Sequence, residues 1–258
     1  MKKKVLDLVV TANINLNSNY VLIKASSTEA LPKCEPGQFA QLRVDGSSSS
    51  FLRRPISINW VDSSANEVWF LIQKVGEGTK RLADYKVGDS LNVILPLGNT
   101  FSLPEDLLKQ PLLVGGGVGV APMLLLGKKL KELGFDPIFL LGARSHKDLL
   151  QLEQFEQLGR VYTTTEDGSH GEAGYVTQHS LLTALSFSKI YSCGPKPMME
   201  AIAKYARVKK VECEVSLENL MACGFGACLC CVENTPKGHV CACTDGPVFN
   251  VKDLLWEN

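Results

Sequence analysis

Six of the chain's nine cysteines fall between Cys223 and Cys243, and that crowding constrains what the end of the chain can become. Cysteines used only as small core residues would be scattered, so this density points to a metal or redox centre. The spacing is Cys223-x4-Cys228-x2-Cys231, with Cys243 following after eleven intervening residues. A C-x4-C-x2-C run with a distant fourth cysteine is the plant-type [2Fe-2S] pattern, and Gly224 and Gly226 let such a loop wrap so that its amides donate to sulfur. Zinc bound by four thiolates is the competing reading, but its usual knuckle pairs two C-x2-C units and only one is present. Spacing alone leaves Cys230 and Cys241 as alternative ligands. The segment is too short and aperiodic to bury much core, so a metal centre would supply stability as well as chemistry.

Ahead of this tail the rhythm changes once. From Val5 to about Phe101, short runs rich in Val, Ile, Leu and aromatics (VLDLVV, YVLIKA, GQFAQLRV, RPISINWV, EVWFLIQKV, DSLNVILPLG) alternate with turn residues. Six strands at this spacing predict a closed antiparallel barrel. After Pro104, strand-like runs alternate with helical ones: PLLVGGGVGVAP, an amphipathic stretch to Gly134, DPIFLLGA, QLEQFEQL, VYTTT, a helical stretch near Gln178–Leu185, KIYSCGPKP, MMEAIAKYA and KVECEVS. That alternation predicts βαβ units and a doubly wound parallel sheet. The expected organisation is therefore mixed β and α/β: an antiparallel β-barrel over residues 1–103, a doubly wound nucleotide-binding domain over 104–216, and a small cluster domain over 217–258.

Composition excludes several function classes. The 258 residues carry 27 basic and 27 acidic side chains, so no net field draws the chain to nucleic acid or an anionic membrane. No apolar run approaches the roughly 18 residues of a membrane span. Met1-Lys2-Lys3-Lys4 is followed by an alternating strand pattern, not a signal h-region, so a cytoplasmic protein with reduced thiols is expected. His146, His170, His179 and His239 lack paired ligand spacing and read as surface residues. No nucleophile-and-base arrangement suggests hydrolysis.

Four segments carry ligand-binding character. In Leu52-Arg53-Arg54-Pro55-Ile56-Ser57, a strand places Arg54 and Ser57 three apart; a guanidinium can hold a diphosphate, although an Arg-Pro strand edge taken alone is more often a solvated surface with an ion pair. Gly76-Glu77-Gly78-Thr79 follows the next strand, either as a phosphate-approach loop or as a simple turn. Gly115, Gly116, Gly117 and Gly119 end a strand and open a helix, where amides and the helix dipole receive a pyrophosphate. The run departs from G-x-G-x-x-G because Val120 replaces the third glycine, and Gly142-Ala143-Arg144 stands where an acidic residue would end the second strand. A dinucleotide site of non-standard build is expected, with Cys193, Gly194 and Pro195 at another strand end lining the nicotinamide pocket.

Taken in order, RPIS, GEGT, GGGVGVAP and CGPKPM resemble the ferredoxin reductase family of FAD and NAD(P) binding proteins, over residues 1 to about 216. The tail, MACGFGACLCCVENTPKGHVCACTDGPVF, resembles the cluster domain of dihydroorotate dehydrogenase B electron-transfer subunits. That resemblance, and not the spacing, selects Cys223, Cys228, Cys231 and Cys243 as the [2Fe-2S] ligands. It also implies FAD contacts from Arg54, Pro55, Ile56, Ser57, Leu71, Ile72, Gln73, Gly78 and Thr79, with Ile56 standing where many reductases place an aromatic. It implies NAD+ as acceptor, while Arg144 alone would permit a 2′-phosphate. A partner chain would oxidise dihydroorotate on its FMN, in pyrimidine biosynthesis, as a heterotetramer of two copies of each chain. Electrons would then pass through the cluster and FAD to NAD+. A reductase feeding an oxygenase or a ferredoxin is the alternative within the same chemistry.

Overall fold

The structure is a computed structural model that describes residues 2–47, 49–105 and 110–256. Its first part is built by period-two burial: in β1 (Lys4–Asn15), Leu6, Leu8 and Val10 face inward while Val5, Asp7 and Val9 face out. β2 (Tyr20–Ser26), β3 (Phe39–Leu42), β4 (Arg54–Ser57), β5 (Trp60–Asp62), β6 (Glu67–Gln73) and β7 (Ser90–Leu97) complete an antiparallel sheet, and α1 (Glu77–Ala83) sits between the last two strands. The strand order is β4-β3-β7-β1-β2-β6-β5.

Where the sequence pattern shows one strand, RPISINWV, the structure makes two. Ile58 N donates to Gln38 O on one edge and Asn59 N to Trp69 O on the other. The chain itself thus crosses between the two edges at residues 58–59, giving a half-barrel in which no ladder joins β4 to β5.

The second part is a seven-stranded sheet. In chain order its elements are β8 (Leu112–Gly116), α2 (Val120–Glu132), β9 (Ile138–Ala143), α3 (Leu152–Glu156), β10 (Arg160–Thr165), β11 (Glu172–Ala173), α4 (Leu181–Ala184), β12 (Lys189–Cys193), α5 (Lys196–Lys209) and β13 (Glu212–Ser216). Both faces are covered, so these strands read as continuous apolar runs. Leu112, Val114, Ile138 and Ile190 pack towards α5, while Leu113, Phe139, Leu141 and Tyr191 pack towards α2. The order β11-β10-β9-β8-β12-β13 reverses direction between β9 and β12, placing a switch-point crevice at the carboxyl end of β8.

The cysteine-rich tail is not a free appendage. After the hairpin of β14 (Val232–Thr235) and β15 (Gly238–Cys241), β16 (Val248–Asn250) adds antiparallel to β13 as the last strand of the second sheet. The same turn is bound to the barrel. The Asn99 side-chain amide donates to Asp245 O (2.8 Å) and Val248 O (2.9 Å), and its Oδ1 accepts from Val248 N (3.0 Å). Val251, Leu254 and Trp256 are buried in the core that also holds α5, and Arg207 donates to Val251 O. The expected boundary after residue 216 therefore separates composition more than packing. Of the histidines expected on the surface, His179 is buried: its ring meets Tyr162 edge-on and Nδ1 accepts from Leu181 N at the start of α4. Burial lowers its pKa, opposed by Glu172.

Asn99→Ala removes three side-chain hydrogen bonds to the tail and should destabilise the protein by about 2–4 kcal/mol, read as a lower urea midpoint than that of the unsubstituted chain.

Candidate functional site

At the carboxyl edge of the parallel sheet lies a cleft of about 700 Å³. The sequence turns expected to bind a dinucleotide meet there. Gly116, Gly117 and Val118 come from the β8–α2 turn, and Gly194, Pro195 and Met198 from the end of β12. The two turns are neighbours because Cys193 pairs with Gly115 across the parallel strands. Cys193 itself is elsewhere: its side chain is buried and lines neither this cleft nor the next, and burial pushes its thiol well above the ordinary range.

The sequence reading missed other residues in the cleft. Asn19 and Tyr20 reach it from the barrel, and Glu166 and Tyr175 come from the loops after β10 and β11, while Arg144, singled out in the sequence, also lines it from the loop after β9. Glu166 supplies an acidic group to the cleft wall, one strand later than the standard dinucleotide pattern puts it. The EDG run after VYTTT was the available signal. The Thr164 hydroxyl, also in the cleft wall, is buried without a hydrogen-bond partner.

A second cleft of about 250 Å³ lies between barrel and sheet. Pro55, Ile56 and Ser57 of β4 and Leu71 and Gln73 of β6 form its barrel wall, Val118 and Ala121 its sheet wall, and Ser216 to Met221 with Pro247 its tail wall. Ile72, one residue out of phase, points into the barrel core and can offer a flavin only its backbone. Arg54 lies beside this cleft, against the start of α1. A Cβ at Gly78 would sit 2.5 Å from Arg54 Nε, and Arg54 also donates to Leu52 O (2.8 Å) and to the Ser50 hydroxyl. Thr79 Oγ1 accepts from Val75 N and Gly76 N, shaping that turn. The guanidinium and the amides at the start of α1 are thus brought together, an arrangement suited to a diphosphate.

The two clefts share Gln73, Val118 and Glu218. Glu218 keeps accessible surface within the cleft, yet protein surrounds it, and that desolvation raises its carboxyl above the usual range. The cysteines adjoin the second cleft through Leu220 and Met221.

Each sulfur of the expected ligand set accepts one main-chain amide. Phe225 N donates to Cys223 Sγ (3.5 Å), Cys230 N to Cys228 Sγ (3.5 Å), Cys243 N to Cys231 Sγ (3.4 Å) and Gly226 N to Cys243 Sγ (3.2 Å). Among the described residues no amide is aimed at the sulfur of Cys230 or Cys241, and Cys241 N donates to Asp245 instead. No three His, Cys, Asp or Glu side chains among the described residues gather about one point, as a single ion would need. A two-iron centre needs two pairs of thiolates, and the thiols meet as Cys223 with Cys228 and as Cys231 with both Cys243 and Cys241.

At Cys223, burial would raise the thiol pKa, but the surrounding amides outweigh it and hold the thiol at about 6. Burial and the neighbouring Cys231 push Cys243 up to about 12. Donors aimed at sulfur fit an iron-sulfur centre held by Cys223, Cys228, Cys231 and Cys243. Cys34 and Cys213, both pushed up to about 12 by burial, lie outside this loop.

Comparison with known proteins gives the family of both parts of the chain. Residues 218–255 match the family model described as the iron-sulfur cluster binding domain of dihydroorotate dehydrogenase B, and residues 113–204 match the oxidoreductase NAD-binding domain. The chain is 42% identical over 226 residues to the dihydroorotate dehydrogenase B (NAD(+)) electron transfer subunit of Shouchella clausii, covering 86% of each chain. It is 41% identical to the Bacillus velezensis protein of the same name, over 85% of this chain and 87% of that one. Among solved structures, an NADH-dependent reduced ferredoxin-NADP oxidoreductase superposes with a TM-score of 0.87 at 28% identity, over 96% of this chain and 90% of the other. The ferredoxin reductase of carbazole 1,9a-dioxygenase shares the fold, with a TM-score of 0.71 at 21% identity over 82% of this chain and 67% of that chain.

Arg54→Ala should weaken FAD retention by roughly ten- to a hundredfold, the loss of charge-assisted hydrogen bonds of about 1.5–3 kcal/mol. Flavin content after gel filtration, with iron content unchanged, is the measurement.

Proposed function

The chain belongs to the family of dihydroorotate dehydrogenase B (NAD(+)) electron transfer subunits, and we propose that it takes electrons from an FMN-containing, dihydroorotate-oxidising partner in a complex of two copies of each chain. Its iron-sulfur and NAD-binding domains make it an oxidoreductase subunit that delivers electrons to NAD+. The observation that carries the reading is the linear order of the sites. The nucleotide cleft merges with the barrel cleft at Gln73, Val118 and Glu218, and the barrel cleft ends on the cysteine-bearing segment.

Bound in these places, FAD and a [2Fe-2S] cluster supply the two-electron and one-electron chemistry that couples dihydroorotate oxidation to hydride transfer. The chain's own residues bind and orient. Arg54 and the start of α1 hold the flavin diphosphate; Pro55, Ile56, Ser57, Leu71 and Gln73 form the wall against its ring; and the main chain at Ile72, Gly78 and Thr79 completes the cradle. Gly115 to Gly119 with Gly194 and Pro195 receive the pyrophosphate and nicotinamide of NAD+. Glu218 stands where the two ligands would meet, its carboxyl raised above the usual range by the protein around it.

The partner's face is argued from the same loop. Cys228 is exposed, and beside it Phe225 and Leu229 leave 50% and 64% of their surfaces in solvent. Apolar side chains flanking an exposed cluster ligand suit a partner that must come close for electron transfer. No described helix is long and apolar enough to cross a membrane.

The test is anaerobic co-expression with the catalytic chain. Dihydroorotate should bleach the flavin and produce a reduced [2Fe-2S] EPR signal only in the complex, and NAD+ should reverse both changes. Reduction by NADH but never by dihydroorotate would favour a reductase serving another acceptor. Cys228→Ser should abolish cluster assembly while FAD stays bound, read as lost iron and sulfide at constant flavin. Phe225→Asp with Leu229→Asp should slow dihydroorotate-driven reduction at least tenfold and leave NADH-driven flavin reduction unchanged, measured by stopped flow.

A further inference from the structure

Strand β3 presents two faces. Ala40 and Leu42 enter the barrel core, while Phe39 and Gln41 point the other way, where Phe39 joins the apolar cluster containing Cys231, Ala242 and Cys243. Gln41 has no exposed surface, and neither Oε1 nor Nε2 of its carboxamide has a hydrogen-bond partner. Its main-chain carbonyl accepts from Arg53, so only the side chain is left over. An unpaired buried polar group costs about 1–3 kcal/mol, and an apolar residue would fill the same space without that penalty.

The amide lies against the cysteine loop. A Cβ at Gly224 would come 2.7 Å from Gln41 Cγ and 2.8 Å from Nε2, and Gly224 has φ +80°. Position 224 thus requires glycine twice over, for its backbone and for this close approach. Gly224 stands between Cys223 and Phe225, whose amide already donates to Cys223 Sγ. Gln41 also pairs across the strands with Pro55, in the wall of the barrel cleft.

From the orphaned carboxamide and its place against this loop, we propose that Gln41 Nε2 donates a hydrogen bond to the sulfur of the iron-sulfur centre and so raises its reduction potential. The inference rests on the cluster assignment above. The four loop amides are main-chain donors within the tail, whereas Gln41 is a side-chain donor supplied by the barrel. The reduced centre carries one more negative charge than the oxidised one, so a donor stabilises it selectively. Losing a hydrogen bond of about 1.4 kcal/mol changes the ratio of reduced to oxidised centre roughly tenfold, which is ~59 mV for one electron.

The experiment is an EPR-monitored redox titration of the complete complex carrying Gln41→Met, which keeps length and flexibility but removes the donor. The cluster midpoint should fall by about the tenfold equivalent, while iron and sulfide content, the flavin midpoint and the unfolding temperature stay in place. An unchanged cluster midpoint overturns the proposal. Should Gln41→Met fail to hold its cluster, the unsubstituted complex labelled with nitrogen-15 only at glutamine side-chain amides decides. A pulsed-EPR nitrogen-15 coupling to the reduced centre is expected, and its absence overturns the proposal. Unsubstituted protein that binds flavin but no iron would instead overturn the cluster assignment, and this inference with it.

Discussion

The return of the tail across both domains is the constraint on which the arrangement of sites depends. Between Asp245 and Val248 the chain is bound to Asn99 at the end of the barrel, and within three residues it pairs with β13 in the second sheet. These bonds close the cysteine loop over the seam between the domains. They add to the bonds that Cys243 makes with Gly226 and Cys231 inside the loop, and they tie that loop to both domains. Local hydrogen bonding here does long-range work: one asparagine side chain and a short strand pairing fix the cysteine loop against both domains.

Burial at the seam follows the same logic. Phe39 packs beside Cys231 and Cys243, so the barrel's outer face is also the floor of the cysteine loop. On the other side, Lys189, nearly without exposed surface, is paired with Glu214 and bonded to Ser102, and Ser102 O accepts from Tyr191. This buried polar cluster ties the segment leaving the barrel to two strands of the second sheet. Breaking a buried pair of this kind by removing one partner leaves an uncompensated charge, so such a network favours one relative placement of the domains. The two clefts can then be continuous, sharing Gln73 from the barrel and Glu218 from the start of the tail.

The thiols show how environment sorts one residue type into different roles. Cys34, Cys193 and Cys213 are desolvated, which suppresses their thiolate forms and makes them packing groups. Among the four cysteines that accept loop amides, Cys223 is held low by those donors while Cys243 is pushed up by burial and by Cys231. Amide donors stabilise negative charge on sulfur whether it arises from deprotonation or from a bound cluster, so the loop is shaped for its load before the load arrives. Desolvation at Glu218 acts in the opposite sense, favouring the neutral acid at the meeting point of the clefts.

Local chemistry was legible in the sequence. Period-two and βαβ patterns marked the half-barrel and the parallel sheet, because side-chain alternation responds to burial on one face or on two. The C-x4-C-x2-C run with its distant partner marked a cluster loop, because ligand spacing is set by short-range chain geometry. The glycine-rich turn after β8 was recognisable for the same reason. Whatever depends on residues far apart in the chain was decided by tertiary structure alone. The split of RPISINWV into two strands follows from which edges residues 58 and 59 meet. The pairing of β16 with β13, the burial of His179, the removal of Cys193 from both clefts and the assembly of Asn19, Glu166 and Glu218 into one cleft likewise have no local signature. Gln41 is the sharpest case: in sequence it is one polar residue in a barrel strand, and only the tertiary structure leaves its carboxamide buried, unpaired and against Gly224 of the cysteine loop.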